Sequence, residues 1–371
     1  MKYVSLETVC DILDSQRVPI TASERTKGDY PYYGANGVQD YVADFIFDDE
    51  LVLLAEDGGN FGSKDRPIAY RVSGKCWVNN HAHVLKPKEC IDVDYLCYSL
   101  MFYDTTGIVN GATRQKLTQA AMRQMTIPMV SMEQQKDIVL KLNKVEDLIS
   151  QRKEQLNKLD ELVKSRFIEL FGDPDTNPLG WNEDVLSEHL EVIGGYAFKS
   201  DKFEDEGIPV LRIGNINSGR FLPVNMVYWN DDPALERYKM YPGDLVMSLT
   251  GTVGKDDYGN VCILGADYPE YYLNQRNAKL SLKPTLNAKY LSELLKFERI
   301  KRRLTGISRG VRQANISNKD ILCLCVPIAP INLQQQFAAF VEQTDKSKLA
   351  VQKSLDKLET LKKALMQQYF G

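Results

Sequence analysis

The sequence predicts an α+β protein built from two similar mixed α/β halves, each followed by a long helix. Three observations lead to this fold class: the 371-residue chain repeats itself, short apolar runs alternate with glycine- and asparagine-rich turns, and two stretches carry leucine at heptad spacing. A chain of this length can bury two cores of ordinary size. The repeat is far longer than the roughly 20–50 residues of a solenoid unit, so we expect a duplicated domain.

The repeat is clearest near the predicted helix ends. Phe171-Gly172 returns as Phe370-Gly371, 199 residues later, and Arg114-Gln115 returns as Arg312-Gln313 at an offset of 198. Further upstream, "ELVLL" matches "DLVMS" at an offset of 194, and small loop insertions explain the drift. We therefore predict two globular segments that alternate with two helical ones: 1–130, 131–172, 173–330 and 331–371.

Each globular half has the local patterns of a mixed α/β domain. Runs such as "YVADFIF", "LVLLA" and "VPIA" have the apolar, β-branched and aromatic character of strands. They alternate with turn sequences such as "GANG", "DGG" and "GNINSG". Helical stretches are predicted between them at 94–103 and 288–304.

The two helical segments predict long helices that pair with each other. Apolar residues recur at heptad spacing, interrupted by Arg152 and Arg166 in the first segment and by Lys362 in the second. An apolar stripe of this length is unfavourable in water, and the other helix is the simplest partner. The predicted seam residues are Leu142, Ile149, Leu156, Leu159 and Val163 in the first helix and Leu355, Leu358 and Leu365 in the second.

Composition argues against several classes of protein. No apolar run approaches bilayer length and the chain starts without a long apolar stretch, so we expect neither a membrane segment nor a secretory signal. The seven cysteines are scattered without a CxxC pair, which is typical of a reduced intracellular compartment. The net charge of −4 counts weakly against a nucleic-acid binder, although phosphate contacts need only a local basic face.

No catalytic motif is recognisable. The sequence has no Pro-Pro pair, hence no Asn/Asp-Pro-Pro-aromatic motif of amino-methylating enzymes, and it has no GxxxxGK[ST] loop. The pair His81 and His83 favours a polar contact surface or structural histidines over a metal site, because no cysteine or carboxylate cluster lies nearby. We expect no cofactor and no metal. Two alternatives stay open: an enzyme with an unrecognised site, and a coiled-coil adaptor that does not bind DNA.

Two matched features indicate nucleic-acid contacts. The run 297–313 is the densest basic stretch, and its Arg-Gln pair recurs in the corresponding loop of the first half. Residues suited to base edges also concentrate at one repeat position, "NNHAH" in the first half and "NQRNAK" in the second. A solvated helix face and ordinary asparagine turns are the alternative interpretation. The predicted contacts are Asn79, Asn80, His81, His83, Arg114, Gln115, Lys116, Asn274, Gln275, Arg276, Asn277, Arg302, Arg303, Arg309, Arg312 and Gln313.

The chain as a whole resembles the specificity subunits of type I restriction-modification enzymes. The resemblance is carried by "YYGANGVQDYV", "GATRQKLTQAAMRQMTIPMVSMEQQKDIV" and "SRFIELFGDP" in the first half. In the second half it is carried by "IPVLRIGNINSG", "YPGDLVMSLTG" and "NISNKDILCLCVPIAPINLQQQ". Together these motifs are specific, whereas any one of them alone is not.

The resemblance implies both a fold and a function. Residues 1–130 and 173–330 would be target-recognition domains that read the two parts of a split site in double-stranded DNA. The helices would pair as an antiparallel coiled coil with pseudo-twofold symmetry, separate the domains and dock two methyltransferase subunits. Catalysis would belong to those subunits, which use S-adenosylmethionine, and to an ATP-driven restriction and translocation subunit. The chain itself would be a non-catalytic cytoplasmic protein.

Overall fold

The structure is a computed structural model that describes residues 2–111, 115–216, 219–252, 255, 257–306 and 313–371. The chain forms two compact units. The first unit combines Met1–Lys153 with Lys353–Gly371, and the second is Glu154–Gln352. Each unit therefore contains a part of both long helices. Within the described ranges, none of the helices combines the length and apolarity that crossing a membrane requires.

The first unit is organised around a mixed sheet. Its strands are β1 Lys2–Ser5, β2 Cys10–Ile12, β3 Lys27–Gly34, β4 Gly37–Val42, β5 Phe47–Ala55, β6 Ala69–Val78, β7 Ala82–Pro87 and β8 Thr126–Met129. Its helices are α1 Leu6–Val9, α2 Val93–Met101, α3 Gln119–Gln124 and the start of α4 Met132–Phe171.

Within the described part of the first unit, six strands are ordered β2-β7-β5-β6-β3-β4, and β1 pairs separately with β8. All neighbours in the large sheet are antiparallel except β3 and β6. The continuous apolar run of β5 explains its place in the interior: Leu51 to Ala55 are all fully buried. Helix α2 packs on this sheet through Tyr95, Leu96 and Leu100, which are also fully buried.

The second unit repeats this plan with more numerous, shorter strands. They are β9 Glu183–Val185, β10 Leu190–Gly194, β11 Ile208–Leu211, β12 Val227–Trp229, β13 Lys239–Met240, β14 Leu245–Ser248, β15 Thr250–Thr252, β16 Val261–Ile263, β17 Tyr271–Leu273, β18 Asn277–Leu282, β19 Gln313–Asn315 and β20 Cys325–Pro327. The helices are α5 Ala288–Leu294, α6 Glu298–Thr305, α7 Asn318–Leu322 and α8 Ile331–Phe370, whose end belongs to the first unit.

The strand pairings of the two units correspond. In the described residues of the second unit, β10-β18-β14-β16 and β12-β11-β17-β13 form two sheets. The parallel pair β11–β17 places Leu211 beside Leu273, as β3–β6 places Tyr33 beside Val78. The predicted helix 288–304 is divided, however, because Phe297 has an extended backbone and packs on Phe167 at a ring distance of 5.1 Å.

The predicted helices are confirmed, each 40 residues long, and they pack antiparallel within each unit. In the first unit Lys153 lies 3.4 Å from Glu359, and Lys362 lies 2.6 Å from Glu146. In the second unit Lys348 lies 2.6 Å from Asp160. The predicted seam residues are all buried or half-buried. The polar interruption Lys362 is thus accommodated by an ion pair to the facing helix.

The repeated aromatic residue at each helix end docks on a tyrosine of α2 or α5. In the first unit Phe370 meets the ring of Tyr95 edge-on at 5.2 Å. In the second unit Phe171 meets the ring of Tyr290 edge-on at 4.8 Å. The hydroxyls of Tyr95 and Tyr290 donate to the carbonyls of Pro128 and Pro327, at 3.0 and 2.8 Å. The repeat in sequence is therefore a repeat of one packing arrangement.

A buried glutamine anchors the start of each long helix in the same way. Gln135 accepts a hydrogen bond from the Asp92 N–H at 2.8 Å and donates to the carbonyl of Val130 at 3.0 Å. Gln334 accepts from the Asn287 N–H at 2.8 Å and donates to the carbonyl of Ala329 at 2.7 Å. Both glutamines are fully buried, so they satisfy backbone groups that water does not reach.

Replacing Gln135 or Gln334 with alanine should lower the free energy of unfolding by about 1–3 kcal/mol, because buried backbone groups lose their partners. Equilibrium urea denaturation measures this change. Gln335→Ala, at an exposed position one residue further along, is the matched control and should change stability by less than about 0.5 kcal/mol. Equal stabilities for Gln334→Ala and Gln335→Ala would show that the buried glutamine does not stabilise the fold.

Candidate nucleic-acid interface

Three segments that are distant in sequence meet at the end of β5 in the first unit. Glu56 donates its N–H to the carbonyl of His81, in the turn between β6 and β7, at 2.9 Å. The carbonyl of Glu56 accepts from the Leu117 N–H at 2.7 Å, and the Gly58 N–H donates to the carbonyl of Gln115 at 3.2 Å. We call this region the first loop edge; it consists of residues 56–58, 79–82 and 115–117.

The second unit contains the same backbone arrangement. Leu249 donates its N–H to the carbonyl of Arg276 at 2.8 Å, and its carbonyl accepts from the Ile316 N–H at 2.8 Å. Strand β15 continues this ladder by pairing with β19, so that Thr252 lies opposite Gln313. We call this region the second loop edge; it consists of residues 249–252, 274–276 and 313–316. Each unit thus joins the two stretches in which DNA contacts are predicted.

Ion pairs hold the first loop edge together. The carboxylate of Glu56 lies 2.6 Å from Arg17 and 3.0 Å from Lys116. Asp57 lies 2.5 Å from Nδ1 of His81. The acidic side chains are therefore compensated within the protein, while half of the Lys116 side chain stays exposed. Such compensation allows an anionic ligand to approach a surface that contains carboxylates.

His83 is part of the interior, not of the surface. Its Nδ1 lies 2.7 Å from Asp14 and its Nε2 lies 2.9 Å from the carbonyl of Leu117, and the side chain is fully buried. Both ring nitrogens are used, so the predicted DNA contact is replaced by a structural role. Alternating residues of a strand share a face, but sequence alone does not show which face is covered.

The same neighbourhood has the ligand types of a metal site. One side-chain atom each from Asp14, Glu56 and His83 lies within 4.8 Å of the others. However, Arg17 already lies 2.6 Å from Glu56 and 3.5 Å from Asp14, and both nitrogens of His83 are hydrogen-bonded. A cation would have to displace these partners, so the cluster is better explained as an internal ion network.

Two further predicted contacts are also internal. Asn79 is 3% exposed; it donates to Gln39 at 3.1 Å and accepts from the His81 N–H at 2.8 Å. Asn277 is fully buried and donates to the carbonyl of Leu211 at 2.8 Å. Both amides form their hydrogen bonds inside the protein, and they do not reach the surface.

The remaining predicted contacts differ in exposure. Side chains at the surface are those of Asn80, Gln115, Lys116, Gln275, Arg276, Arg302 and Arg303, while His81 and Asn274 are half-buried. Arg302 pairs with Glu298 on its own helix. Arg114, Arg309 and Arg312 lie outside the described residues, as does the side chain of Gln313. For these four, the sequence-based expectation stands as a prediction.

Residues 1–160 and 178–362 match the family described as the type I restriction modification DNA specificity domain. The chain belongs to this family. The two matched ranges together cover most of the chain, and the gap between them falls near the end of α4.

Individual members of the specificity-domain family are similar over almost their full lengths. The chain is 26% identical to a putative type I restriction enzyme specificity subunit, S.HindORF215P of Haemophilus influenzae, over 99% of this chain and 95% of that protein. It is 24% identical to the MjaVIII specificity subunit of Methanocaldococcus jannaschii, over 95% of this chain and 88% of that protein.

Two solved structures support the fold. The S subunit of the type I restriction-modification system from M. genitalium has a TM-score of 0.62 at 14% identity, over 100% of this chain and 96% of that chain. A chain from a study of complex assembly and conformational transition of the type I R-M system has a TM-score of 0.53 at 17% identity, over 100% of this chain and 97% of that chain. The expected fold of a specificity-domain protein is confirmed.

Sequence reasoning missed two exposed residues that border the loop edges. Asn36, in the turn between β3 and β4, donates to the carbonyl of Gly58 at 3.0 Å. Tyr196 is 38% exposed, accepts through its carbonyl from the Gln275 N–H at 2.9 Å and packs on Phe198. The motif "GANG" predicts a turn but not which backbone group Asn36 contacts. A single tyrosine after a strand likewise does not indicate which residues it contacts.

The internal ion network predicts a pH dependence of stability. Burial alone would raise the pKa of Asp14, but the hydrogen bond and charge of His83, with hydrogen bonds from the Val84 N–H and Gln119, outweigh it and hold the pKa below its ordinary value. A carboxyl with a lowered pKa stabilises the fold above its unfolded pKa of about 3.9, and this contribution is lost as the pH falls through the folded pKa.

Asp14→Asn should therefore be less stable than the unchanged chain at neutral pH, with a difference that shrinks as the pH falls below about 4. Urea denaturation between neutral pH and about pH 3 measures the difference, in a range that brackets the ordinary aspartate pKa. Asp11→Asn, whose carboxylate is 62% exposed, is the control and should show little difference at any pH. A stability difference for Asp14→Asn that does not vary with pH contradicts this account.

Proposed function

We propose that this chain is the DNA-reading specificity subunit of a type I restriction-modification system. One observation supports this beyond family membership: both units bring their predicted contact segments together through the same backbone ladder. The backbone of Glu56 is hydrogen-bonded to those of His81 and Leu117 in the first unit. The backbone of Leu249 is hydrogen-bonded to those of Arg276 and Ile316 in the second unit in the same way. A shared frame with different side chains suits two readers of two different DNA sequences.

The exposed side chains divide by chemistry into two proposed roles. Amide groups and an arginine fork form paired hydrogen bonds with base edges, so we assign base reading to Asn80, Gln115, Gln275 and Arg276. A lysine or an arginine can also bind a phosphate, and such a contact does not depend on which base is present. We therefore assign phosphate contacts to Lys116, Arg302 and Arg303. Arg114, Arg309 and Arg312 are proposed to extend the same surfaces.

The proposed partners are those that the similarity to type I restriction enzyme specificity subunits implies, and the lack of a recognisable catalytic motif in the sequence agrees with them. Methyltransferase subunits, two in number, would dock on the long helices and modify the site, and a restriction and translocation subunit would join them. Residues 1–130 and 173–330 would each read one part of a split site. A protein that acts on cellular DNA would work in the cytoplasm.

The alternative is a coiled-coil adaptor that does not bind DNA. Filter binding to duplex DNA across a salt series separates the two, because contacts to phosphates weaken steeply as salt rises. Salt-dependent binding supports the specificity subunit, whereas no binding at any salt concentration favours the adaptor.

Replacing residues 1–130 with the corresponding domain of another specificity subunit should change only one part of the split site. The reason is that each loop edge is built within one unit. Selection from a randomised duplex pool, with methyltransferase partners present, gives the preferred sequence. A swap that alters both parts together contradicts the two-reader proposal.

Arg276→Ala should weaken binding to the preferred site by about 1–3 kcal/mol and relax the choice of base at one position. Quantitative binding to the preferred duplex and its single-base variants measures both effects. Arg237→Ala removes another exposed arginine of the same unit, one that does not belong to the three segments of the second loop edge, and should leave base preference unchanged. Even weakening over all sequences would instead make Arg276 a phosphate contact.

A further inference from the structure

The buried histidine behind the first loop edge has a hydrogen-bond acceptor at each ring nitrogen. Nδ1 of His83 lies 2.7 Å from Oδ2 of Asp14, and Nε2 lies 2.9 Å from the carbonyl oxygen of Leu117. A backbone carbonyl only accepts, so Nε2 carries the hydrogen of the second contact. A neutral imidazole carries hydrogen on one nitrogen, whereas an imidazolium carries it on both. The protonation of His83 therefore depends on what Asp14 supplies to Nδ1.

Asp14 is an acceptor on both of its carboxyl oxygens. Oδ1 accepts from the Val84 N–H at 2.9 Å, and Oδ2 accepts from the side chain of Gln119 at 2.9 Å. The guanidinium group of Arg17 lies 3.5 Å from the same Oδ2. Donors and a positive charge around a carboxyl group favour its ionised form. An ionised Asp14 has no hydrogen to donate, so the hydrogen of its contact with His83 lies on Nδ1.

The charges around His83 balance when its ring is an imidazolium. Nδ1 lies 2.7 Å from Asp14 and 3.7 Å from Glu56, and Arg17 lies 2.6 Å from Glu56. Two interior cations then face two carboxylates, and such pairing is what a buried charge requires. Lys116, 3.0 Å from the other oxygen of Glu56, is half-exposed and keeps its contact with solvent. Among the described residues, a neutral ring would leave Arg17 as the single interior cation for these two carboxylates.

The contact between His83 and Leu117 fixes the segment in which DNA contacts are proposed. The carbonyl of Leu117 accepts from His83, its N–H donates to the carbonyl of Glu56 at 2.7 Å, and its side chain is fully buried. Gln115 and Lys116 directly precede Leu117, and both have exposed side chains. The direction in which these two side chains leave the protein therefore depends on how Leu117 is held.

The second unit has an alanine where the first has this histidine. His81 and Arg276 occupy equivalent positions in the two backbone ladders, so His83 corresponds to Ala278, two residues further on. Ala278 is fully buried and lies opposite Gly194. Neither of these side chains can form a hydrogen bond, so the second loop edge is held at this position without one. The repeat thus offers an internal comparison between a unit with the histidine and a unit without it.

We propose that His83 is held as an imidazolium and is a positioning residue for the DNA contacts of Gln115 and Lys116. Its two N–H groups join Asp14 to the carbonyl of Leu117, and this bridge fixes the segment that presents the two contacts. Reading of one part of the split site then requires the bridge, whereas reading of the other part does not. The positioning role rests on the proposed function, while the protonation state rests on the hydrogen bonds alone.

The first arm of the test is spectroscopic and needs no DNA. The full chain is labelled with ¹⁵N-histidine, and its three histidines are assigned with His83→Gln and His189→Gln. At about pH 7, above the ordinary histidine pKa, His83 should show two ring nitrogens that both carry hydrogen and resonate close together. His189 is the internal reference: the hydroxyl of Thr285 beside its Nδ1 can donate, so a neutral ring satisfies both of its contacts. Two widely separated nitrogen signals from His83 would overturn the imidazolium.

Asp14→Asn is the second spectroscopic variant. An amide at this position can donate a hydrogen to Nδ1, so His83 should become neutral and its two nitrogen signals should separate. An imidazolium signature that persists in Asp14→Asn would show that Asp14 is not the acceptor that holds the hydrogen on Nδ1.

The second arm measures how well the full chain, with methyltransferase partners present, discriminates between the preferred duplex and its single-base variants. In His83→Gln, discrimination should fall at least about fivefold within the part of the site that residues 1–130 read, since one paired contact to a base edge contributes that much or more. Discrimination in the other part should be unchanged. His189→Gln, the same substitution in the second unit, is the matched control and should leave both parts unchanged. Urea denaturation establishes that the variants are folded, and Asp14→Asn replaces His83→Gln in this assay if the latter does not fold.

Three outcomes of these measurements contradict the positioning role. Undiminished discrimination in a folded His83→Gln overturns it, and an equal loss in both parts of the site shows general destabilisation instead. Zn²⁺ alone is a further probe: a melting temperature that rises with Zn²⁺ in the unchanged chain, but not in His83→Gln, would make Asp14, Glu56 and His83 a metal site. If the unchanged chain binds no duplex, the proposed function and the positioning role fail together, while the spectroscopic arm still decides the protonation of His83.

Discussion

The docking of an aromatic helix end on a buried tyrosine is the contact on which both units depend. Phe370 completes the core of the first unit against Tyr95, and Phe171 completes the core of the second against Tyr290. Each unit is thus closed by the end of the helix that follows the other half of the sequence. The core of each half packs in part against the helix that follows the other half, and this is a physical reason for the Phe-Gly pair to recur.

The two loop edges show how one backbone arrangement can carry two different sets of side chains. The backbone ladder is the same in both units, but the first is fixed by charges, with Arg17 between Asp14 and Glu56. At the corresponding strand end the second unit has Gly194, and the neutral amide of Asn277 donates to the carbonyl of Leu211 instead. Because the frame is held by backbone hydrogen bonds, exposed side chains such as Gln275 are free to differ without loss of the fold.

Much of the fold could be predicted from the sequence, and less of the candidate site. The heptad spacing and the internal repeat are visible in the sequence because the packing of the helices and of the two halves depends on them. The structure confirms the long helices and the duplicated halves. The break at Phe297 could not be predicted, since it depends on a ring packed against Phe167, more than a hundred residues away. Burial of His83, Asn79 and Asn277 is equally a tertiary effect: polar residues beside a turn look alike in sequence whether they face solvent or brace the backbone.

The net charge of −4 is compatible with DNA binding because of where the acidic groups lie. On the helices and at the loop edges, many are paired: Glu146 with Lys362, Asp160 with Lys348 and Glu56 with Arg17. Such pairs cancel over short distances, whereas a cation without a partner projects its field into solvent. Acidic groups that are paired in this way do little to repel an anionic ligand, so the net charge of the chain says little about whether it binds DNA.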